Sequence, residues 1–268
     1  MPEREDSFLP LITVITVTYN SAEFVRQTIE SVLGQQYPHF EYIIGDDSST
    51  DETWDIINQY KDPRIKTYRN ETNLREYPNR NKALQMASGK YLLFIDGDDV
   101  IYPHALAVFV SYAKKFQDCS MYFCRHWDHR ILYPYKIAPV DMYRFEYMDE
   151  GIVGGNFTRV FFNTDILKAA GLPVHVATGD TYIQLRLAQK YPALVIPDGL
   201  SWWRRRTGNA TGKFFSNERG SAETIGYRLQ FLNSKDCPLS PEEIEWAKNN
   251  IYGGFLRLLV RLFFRGEW

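Results

Sequence analysis

The chain has 268 residues, 44% of them hydrophobic and 24% charged, and a formal net charge of -2. That composition can bury one substantial core with a small appendage, and the near balance of charge gives no electrostatic ground for a nucleic-acid partner. The cysteines Cys119, Cys124 and Cys237 fit neither a C-x-x-C pair nor a disulfide framework and read as reduced structural thiols.

The start, Met1 to Pro10, is acidic and lacks the basic stretch and apolar run of a secretory signal, so a cytoplasmic protein is expected. Leu11 to Thr18 is a β-branched run of the kind that forms a strand buried on both faces. Phe24, Val25, Ile29, Val32 and Leu33 then recur at helical spacing within Ala22 to Gln35, with Asn20 or Ser21 as candidate caps. Glu41 to Gly45 reads as a second buried strand that runs into Asp46 and Asp47, and Ser49 with Glu52 suggests a capping box for a helix from Glu52 to Tyr60. Arg64 to Tyr68 is a third strand. A helix from Asn79 to Ser88 is expected to stop at Gly89, and a fourth strand, Tyr91 to Ile95, ends in Asp96, Gly97, Asp98 and Asp99. Pro103 opens a helix to Phe116, weaker strands follow at Ser120 to Phe123 and Phe157 to Phe162, and Thr181 to Tyr191 is helical. Alternating strands and helices with short links imply a mostly parallel α/β sheet, helices on both faces, and ligands beyond the carboxyl ends of the strands. Both acidic runs fall at that edge.

Three carboxylates within four residues are electrostatically costly without a cation, and hard oxygen ligands suit Mg2+ or Mn2+. Asp-rich strand ends also serve as ordinary turn and cap chemistry. Two such ends about fifty residues apart in an alternating α/β pattern weigh toward a functional site over ordinary turn chemistry.

In Val14 to Asn20 (VITVTYN), Asp46 to Thr53 (DDSSTDET), Asn79 to Ala83 (NRNKA), Ser88 to Asp99 (SGKYLLFIDGDD), Gly179-Asp180 and Trp203 to Thr211 (WRRRTGNAT) the chain resembles the family 2 glycosyltransferases, over roughly its first four fifths. The resemblance implies the GT-A fold and an inverting transfer of sugar from a nucleotide-diphosphate sugar, most often a UDP-sugar, onto an acceptor hydroxyl. It implies that Thr18, Tyr19 and Asn20 line the nucleotide pocket with Asp47, which binds the base, and Arg80. Asp96, Gly97 and Asp98 match the acidic motif that holds the donor ribose and the metal on the diphosphate, with Asp98 and Asp99 as candidate metal ligands. Asp180 matches the catalytic base, although the family's usual Glu-Asp pair is here Gly179-Asp180. Arg204 and Arg206 fall in a loop that closes over the diphosphate, where the family often carries a histidine. The Gln-x-x-Arg-Trp motif of processive synthases is missing, which favours single-sugar transfer in polysaccharide or glycoconjugate assembly.

A nucleotidyltransferase is the rival enzyme; it would carry a Gly-rich phosphate loop where this chain reads Thr18-Tyr19-Asn20-Ser21. An inactive sugar-nucleotide-binding module is the rival of another class, and the carboxylates at Asp47, Asp98 and Asp180 argue against it. Cys124, His126, Asp128 and His129 could ligate zinc, but no second cluster at finger spacing completes a site. The expected organisation is a catalytic domain over 1–215 and a helical extension over 216–268. Ile251 to Phe264 is strongly apolar, with Arg257, Arg261 and Arg265 four residues apart. It is too short and too charged to span a bilayer. It suits either a membrane interface that presents a lipid-linked acceptor, at the inner face of the membrane, or packing on the catalytic domain or a second copy in a homodimer.

Overall fold

The computed structural model describes residues 9–125, 132–149, 151–153, 156–174, 176, 178–204 and 218–265. By packing, the chain divides into two units, one drawn from 1–137, 155–174 and 192–205, the other from 138–154, 175–191 and 206–268.

The first unit is built on an eight-stranded sheet. Its strands are β1 (Ile12–Thr18), β2 (Phe40–Asp46), β3 (Ile65–Arg69), β4 (Tyr91–Phe94), β6 (Met121–Arg125), β7 (Tyr135–Ile137), β8 (Val160–Asn163) and β9 (Ala193–Pro197), in the order β3-β2-β1-β4-β8-β6-β9-β7. The four leading strands are parallel, β6 runs parallel to β9, and β8 and β7 are antiparallel to their neighbours. Ile12 pairs with both Phe40 and Tyr91, and Thr18 lies opposite Asp46, so β1, β2 and β4 finish at one edge. A separate ribbon pairs β5 (Val100–Ile101) with β10 (Ser201–Trp202); two residues carry no periodic signal, and neither strand is legible in the sequence.

Helices α1 (Val25–Leu33), α2 (Thr53–Ile57), α3 (Glu76–Met86), α4 (Ala105–Lys115) and α6 (Thr164–Ala170) flank the sheet. Val25, Ile29 and Val32 of α1 and Leu106, Phe109 and Val110 of α4 join Val14, Tyr42, Ile44 and Leu93 in one core, and each such buried aliphatic side chain contributes about 1.5–3 kcal/mol. Buried Ala83 and Leu84 lie on α3, which packs on β1 and β2.

Three local expectations are corrected. The Ser49–Glu52 capping box does not form: Ser49 bonds Asp46 and the Asn20 N–H, while Glu52 itself is the N-cap of α2. Asn20 and Ser21 do not cap α1 with their side chains; the Ser21 carbonyl accepts the Phe24 and Val25 N–H groups. Gly89 does not end α3, which stops at extended Ala87. A Cβ at Gly89 would meet the Thr13 N at 2.6 Å and the Leu11 carbonyl at 2.7 Å, so glycine is needed there for close backbone approach.

The second unit contains α5 (Pro139–Met148), α7 (Gly179–Ala188), α8 (Glu218–Leu232) and α9 (Pro241–Arg265). The Tyr143 hydroxyl donates to the Leu185 carbonyl at 3.1 Å, and the Arg228 guanidinium pairs with buried Glu146 at 2.7 Å. Tyr182 packs edge-on against Tyr227. Helix α9 continues through Gly253 and Gly254, each costing about 1 kcal/mol against alanine. No helix among the described residues is long and apolar enough to cross a membrane.

Candidate active site

At the shared edge of β1, β2 and β4 the loops are tied to one another by side chains. The Asn20 Oδ1 accepts the Thr50 N–H at 2.8 Å with Asn20 in the left-handed region (φ 49°), and Thr53 Oγ1 accepts the Ser21 N–H at 2.8 Å. Tyr19, which follows buried Thr18, is 49% exposed at this edge.

Asp47, at the end of β2, is 3% exposed. Its Oδ1 accepts from Asn70 Nδ2 at 2.8 Å and from the Leu74 N–H at 2.9 Å, and its Oδ2 accepts the Arg75 N–H at 2.8 Å. A carboxylate offers roughly four acceptor positions, so one remains for a further donor such as a base N–H. The same three bonds hold the turn in which Arg75 takes φ 71°.

The acidic turn after β4 splits its carboxylates among different partners. Arg80, 2% exposed on α3, ion-pairs with Glu76 and Asp96 and lies 4.7 Å from the ring of Phe157. Burial opposes its charge, but Glu76 and Asp96 outweigh burial and hold the guanidinium protonated, above its ordinary range. Burial also pushes Asp96 upward, with Glu76 and Asp98 adding to the effect of burial and Arg80 opposing it. Gly97 packs so tightly on the first loop that a Cβ would meet Thr18 Cγ2 at 2.9 Å. Asp99 is 1% exposed; its Oδ2 accepts from Thr158 Oγ1 at 2.7 Å and its Oδ1 from the Arg204 N–H at 3.0 Å. Burial raises its pKa to about 7, with Asp96 adding, against the hydrogen bonds from Thr158 and Arg204. Asp98 is half-buried.

Among the described residues no group of three or more acidic, histidine or cysteine side chains is arranged to hold a metal ion. The donor set nevertheless suits a divalent cation: Asp98 is half-buried and repels Asp96 and Asp99, whose carboxyls burial and their acidic neighbours push upward, and a cation would relieve that crowding. Mg2+ and Mn2+ commonly take only one or two carboxylates and complete their shell with water and phosphate oxygens.

The Arg204 guanidinium lies 4.6 Å from the ring of Phe24 and 4.6 Å from that of Trp202, and its Nε donates to the Asp98 carbonyl at 2.9 Å. Arg206 lies outside the described residues, as do the zinc candidates His126, Asp128 and His129. Cys124 is buried, and burial pushes its thiol, like that of Cys119, up to about 12. In the second unit, Thr178 takes the N-cap position of α7 and Asp180 sits in its first turn, its Oδ1 accepting the Thr181 N–H at 2.8 Å. Sequence reasoning missed Thr158, Asn70 and Phe157, whose contacts with Asp99, Asp47 and Arg80 join positions 59, 23 and 77 residues apart; no local pattern signals such pairings.

The sequence profile of glycosyl transferase family 2 matches residues 13–162. The chain is 48% identical over 92 residues to the putative teichuronic acid biosynthesis glycosyltransferase TuaG of Bacillus subtilis, covering 34% of this chain and 36% of that protein. It is 45% identical over 91 residues to the UDP-Glc:alpha-D-GlcNAc-diphosphoundecaprenol beta-1,3-glucosyltransferase WfaP of Escherichia coli, with the same coverage. The matched stretch thus spans little more than a third of these curated relatives. S. aureus TarS 1-349, solved in complex with UDP-GlcNAc, superposes with a TM-score of 0.68 at 20% identity over 90% of this chain and 71% of that one. The mannosyltransferase PcManGT from Pyrobaculum calidifontis, in complex with GDP-Man and Mn2+, gives 0.66 at 16% identity over 95% and 76%. At such identities the two structures establish the shared GT-A fold.

Proposed function

The chain belongs to glycosyl transferase family 2, and from that premise we propose that it transfers a single sugar, with inversion, from a UDP-sugar to an acceptor hydroxyl during assembly of a bacterial surface polysaccharide or glycoconjugate. The observation that carries this reading is the shared edge of β1, β2 and β4, along which exposed Tyr19, Asp47 with its remaining acceptor position, and Asp96 paired with Arg80 follow the three strands. Thr18, Tyr19 and Asn20 would face the nucleotide, with Asp47 on the base and Arg80 and Asp96 toward the ribose. Gly97 lets the acidic turn approach. Asp98, with Asp99 adjoining, would hold Mn2+ or Mg2+, and a bound divalent ion would supply positive charge for the leaving diphosphate. Arg204 and Arg206 are assigned to the diphosphate side. Asp180 would take the proton of the acceptor hydroxyl.

The acceptor is proposed to be a glycan or a lipid-linked sugar. The WfaP relative is named for a diphosphoundecaprenol acceptor, and α9 exposes Tyr252, Leu256, Phe263 and Phe264 beside Arg257, as an interfacial helix would. On this reading the enzyme would work in the cytoplasm at the inner face of the membrane, with residues 1–215 as the catalytic stretch and 216–268 as its extension. A homodimer through the same helix face is the second reading. A thermal-shift screen of UDP-, GDP- and dTDP-sugars with manganese tests the donor: a UDP-sugar should raise Tm most, since specific binding stabilises the folded state, and a screen in which no nucleotide sugar shifts Tm would overturn the reading.

A further inference from the structure

The 3-10 turn Phe157–Arg159 reaches Asp99 directly and Asp96 through Arg80. The Phe157 ring, 2% exposed, lies 4.7 Å from the guanidinium of Arg80 and 5.0 Å from the ring of Phe94. It thereby backs the cation that is paired with Asp96. One residue on, Thr158, 1% exposed, donates its hydroxyl to Asp99 Oδ2 at 2.7 Å. Arg159 fastens the turn through Asp198 at 2.7 Å. From Asp99 the bonding continues: its Oδ1 accepts the Arg204 N–H, its own N–H donates to the Asp96 carbonyl at 2.9 Å, and its carbonyl accepts the Thr28 hydroxyl at 2.8 Å.

We propose that this turn is a positioning element for the acidic turn, and that Thr158 is the positioning residue that sets Asp99. With Oδ2 engaged by the Thr158 hydroxyl, the carboxylate is turned so that Oδ1 receives the Arg204 N–H, and the Arg204 Nε reaches the Asp98 carbonyl. The Asp98 carbonyl is thus held by Arg204 while the following residue is held by Thr158 and Thr28, which restrains the stretch of backbone that carries the half-buried Asp98 carboxylate. A site held by supporting hydrogen bonds loses ligand affinity when one of them is removed, commonly ten- to a hundredfold for groups that orient metal ligands. The inference rests on the proposed assignment of Asp98 to the donor's metal.

The test compares Thr158→Val, which keeps the shape and removes the donor, with Thr158→Ser, which keeps the donor. UDP is titrated calorimetrically into parent and variants, once with saturating manganese and once with chelator, and thermal unfolding is followed in parallel. Thr158→Val should lose about tenfold or more in manganese-dependent UDP affinity, with metal-free affinity within about twofold of the parent, and Thr158→Ser should restore the parental value. A general loss of packing would lower both affinities together. Equal manganese-dependent affinity in Val variant and parent, or a Ser variant as weak as Val, overturns the role of Thr158. Should the Val protein not fold, Thr158→Ala read against Thr158→Ser carries the same decision. A parent that binds UDP equally with manganese and with chelator overturns the metal assignment itself, and with it this role, before any variant is compared.

Discussion

Replacing Asp47 with asparagine separates the two jobs assigned to that carboxylate. Its oxygens accept three hydrogen bonds, from Asn70, Leu74 and Arg75, and it is 3% exposed. Asparagine keeps one oxygen, enough for the Asn70 and Leu74 donors on Oδ1, and turns its amide N–H toward the Arg75 N–H. One bond to a charged acceptor is then lost, worth roughly 1.5–3 kcal/mol, and the other two become neutral and weaker. Arg75 lies on the exposed side of the turn, so water can reach its N–H and the net cost should fall near 2 kcal/mol. For a chain of this size that lowers Tm by about 4–8 °C. Loss of the charged acceptor for the base should independently weaken free UDP about ten- to a hundredfold without metal. Thermal unfolding and metal-free calorimetry on the same preparation read the two effects. A variant that melts with the parent refutes the clamp, and one that melts early yet binds UDP with parental affinity refutes the contact with the base.

Other outcomes follow from single groups. Burial alone would raise the pKa of Glu41, but hydrogen bonds from Lys66, Thr13 and Ser88 outweigh it and hold the carboxyl at about 2. A depressed folded pKa gives stability that is present above the ordinary value and lost as pH falls toward 2, here about 3 kcal/mol; acid unfolding of Glu41→Gln should lack that segment of the pH dependence, and parallel curves for parent and variant would contradict it. Asp180→Asn should leave donor binding nearly intact and lower turnover about a hundredfold or more, whereas a near-parental transfer rate would remove Asp180 from the chemistry. Deletion of 251–268 should abolish flotation with anionic liposomes, and equal flotation of full-length and truncated protein would end the membrane reading.

The acidic edge is legible because two signals coincide. β1, β2 and β4 are rich in β-branched, leucine or aromatic residues and buried almost throughout, and each leads into a polar or acidic run: Thr18 to Asn20, Asp46 to Ser49 and Asp96 to Asp99. What failed was local. Ser49 has the spacing of a capping residue, yet the pull of fully buried Asp46 takes its hydroxyl instead. Gly89 follows a helix, as a cap would, yet serves a close approach to β1. Phe157 and Thr158 read as the start of a strand, but they form a 3-10 turn whose partners, Arg80 and Asp99, come from other elements. Likewise β5 and β10, two residues each, exist only because they meet. Roles that arise from contacts between distant segments leave no periodicity to read.

Whether the acidic turn holds a metal-bound nucleotide sugar is decided at Asp98. UDP-glucose and related UDP-sugars should bind the parent with an affinity that manganese raises and chelator removes. Asp98→Ala should fold with the parental thermal transition and lose the manganese-dependent part of that affinity. An Asp98→Ala protein that binds the same UDP-sugar equally well, with manganese or with chelator, would contradict the account.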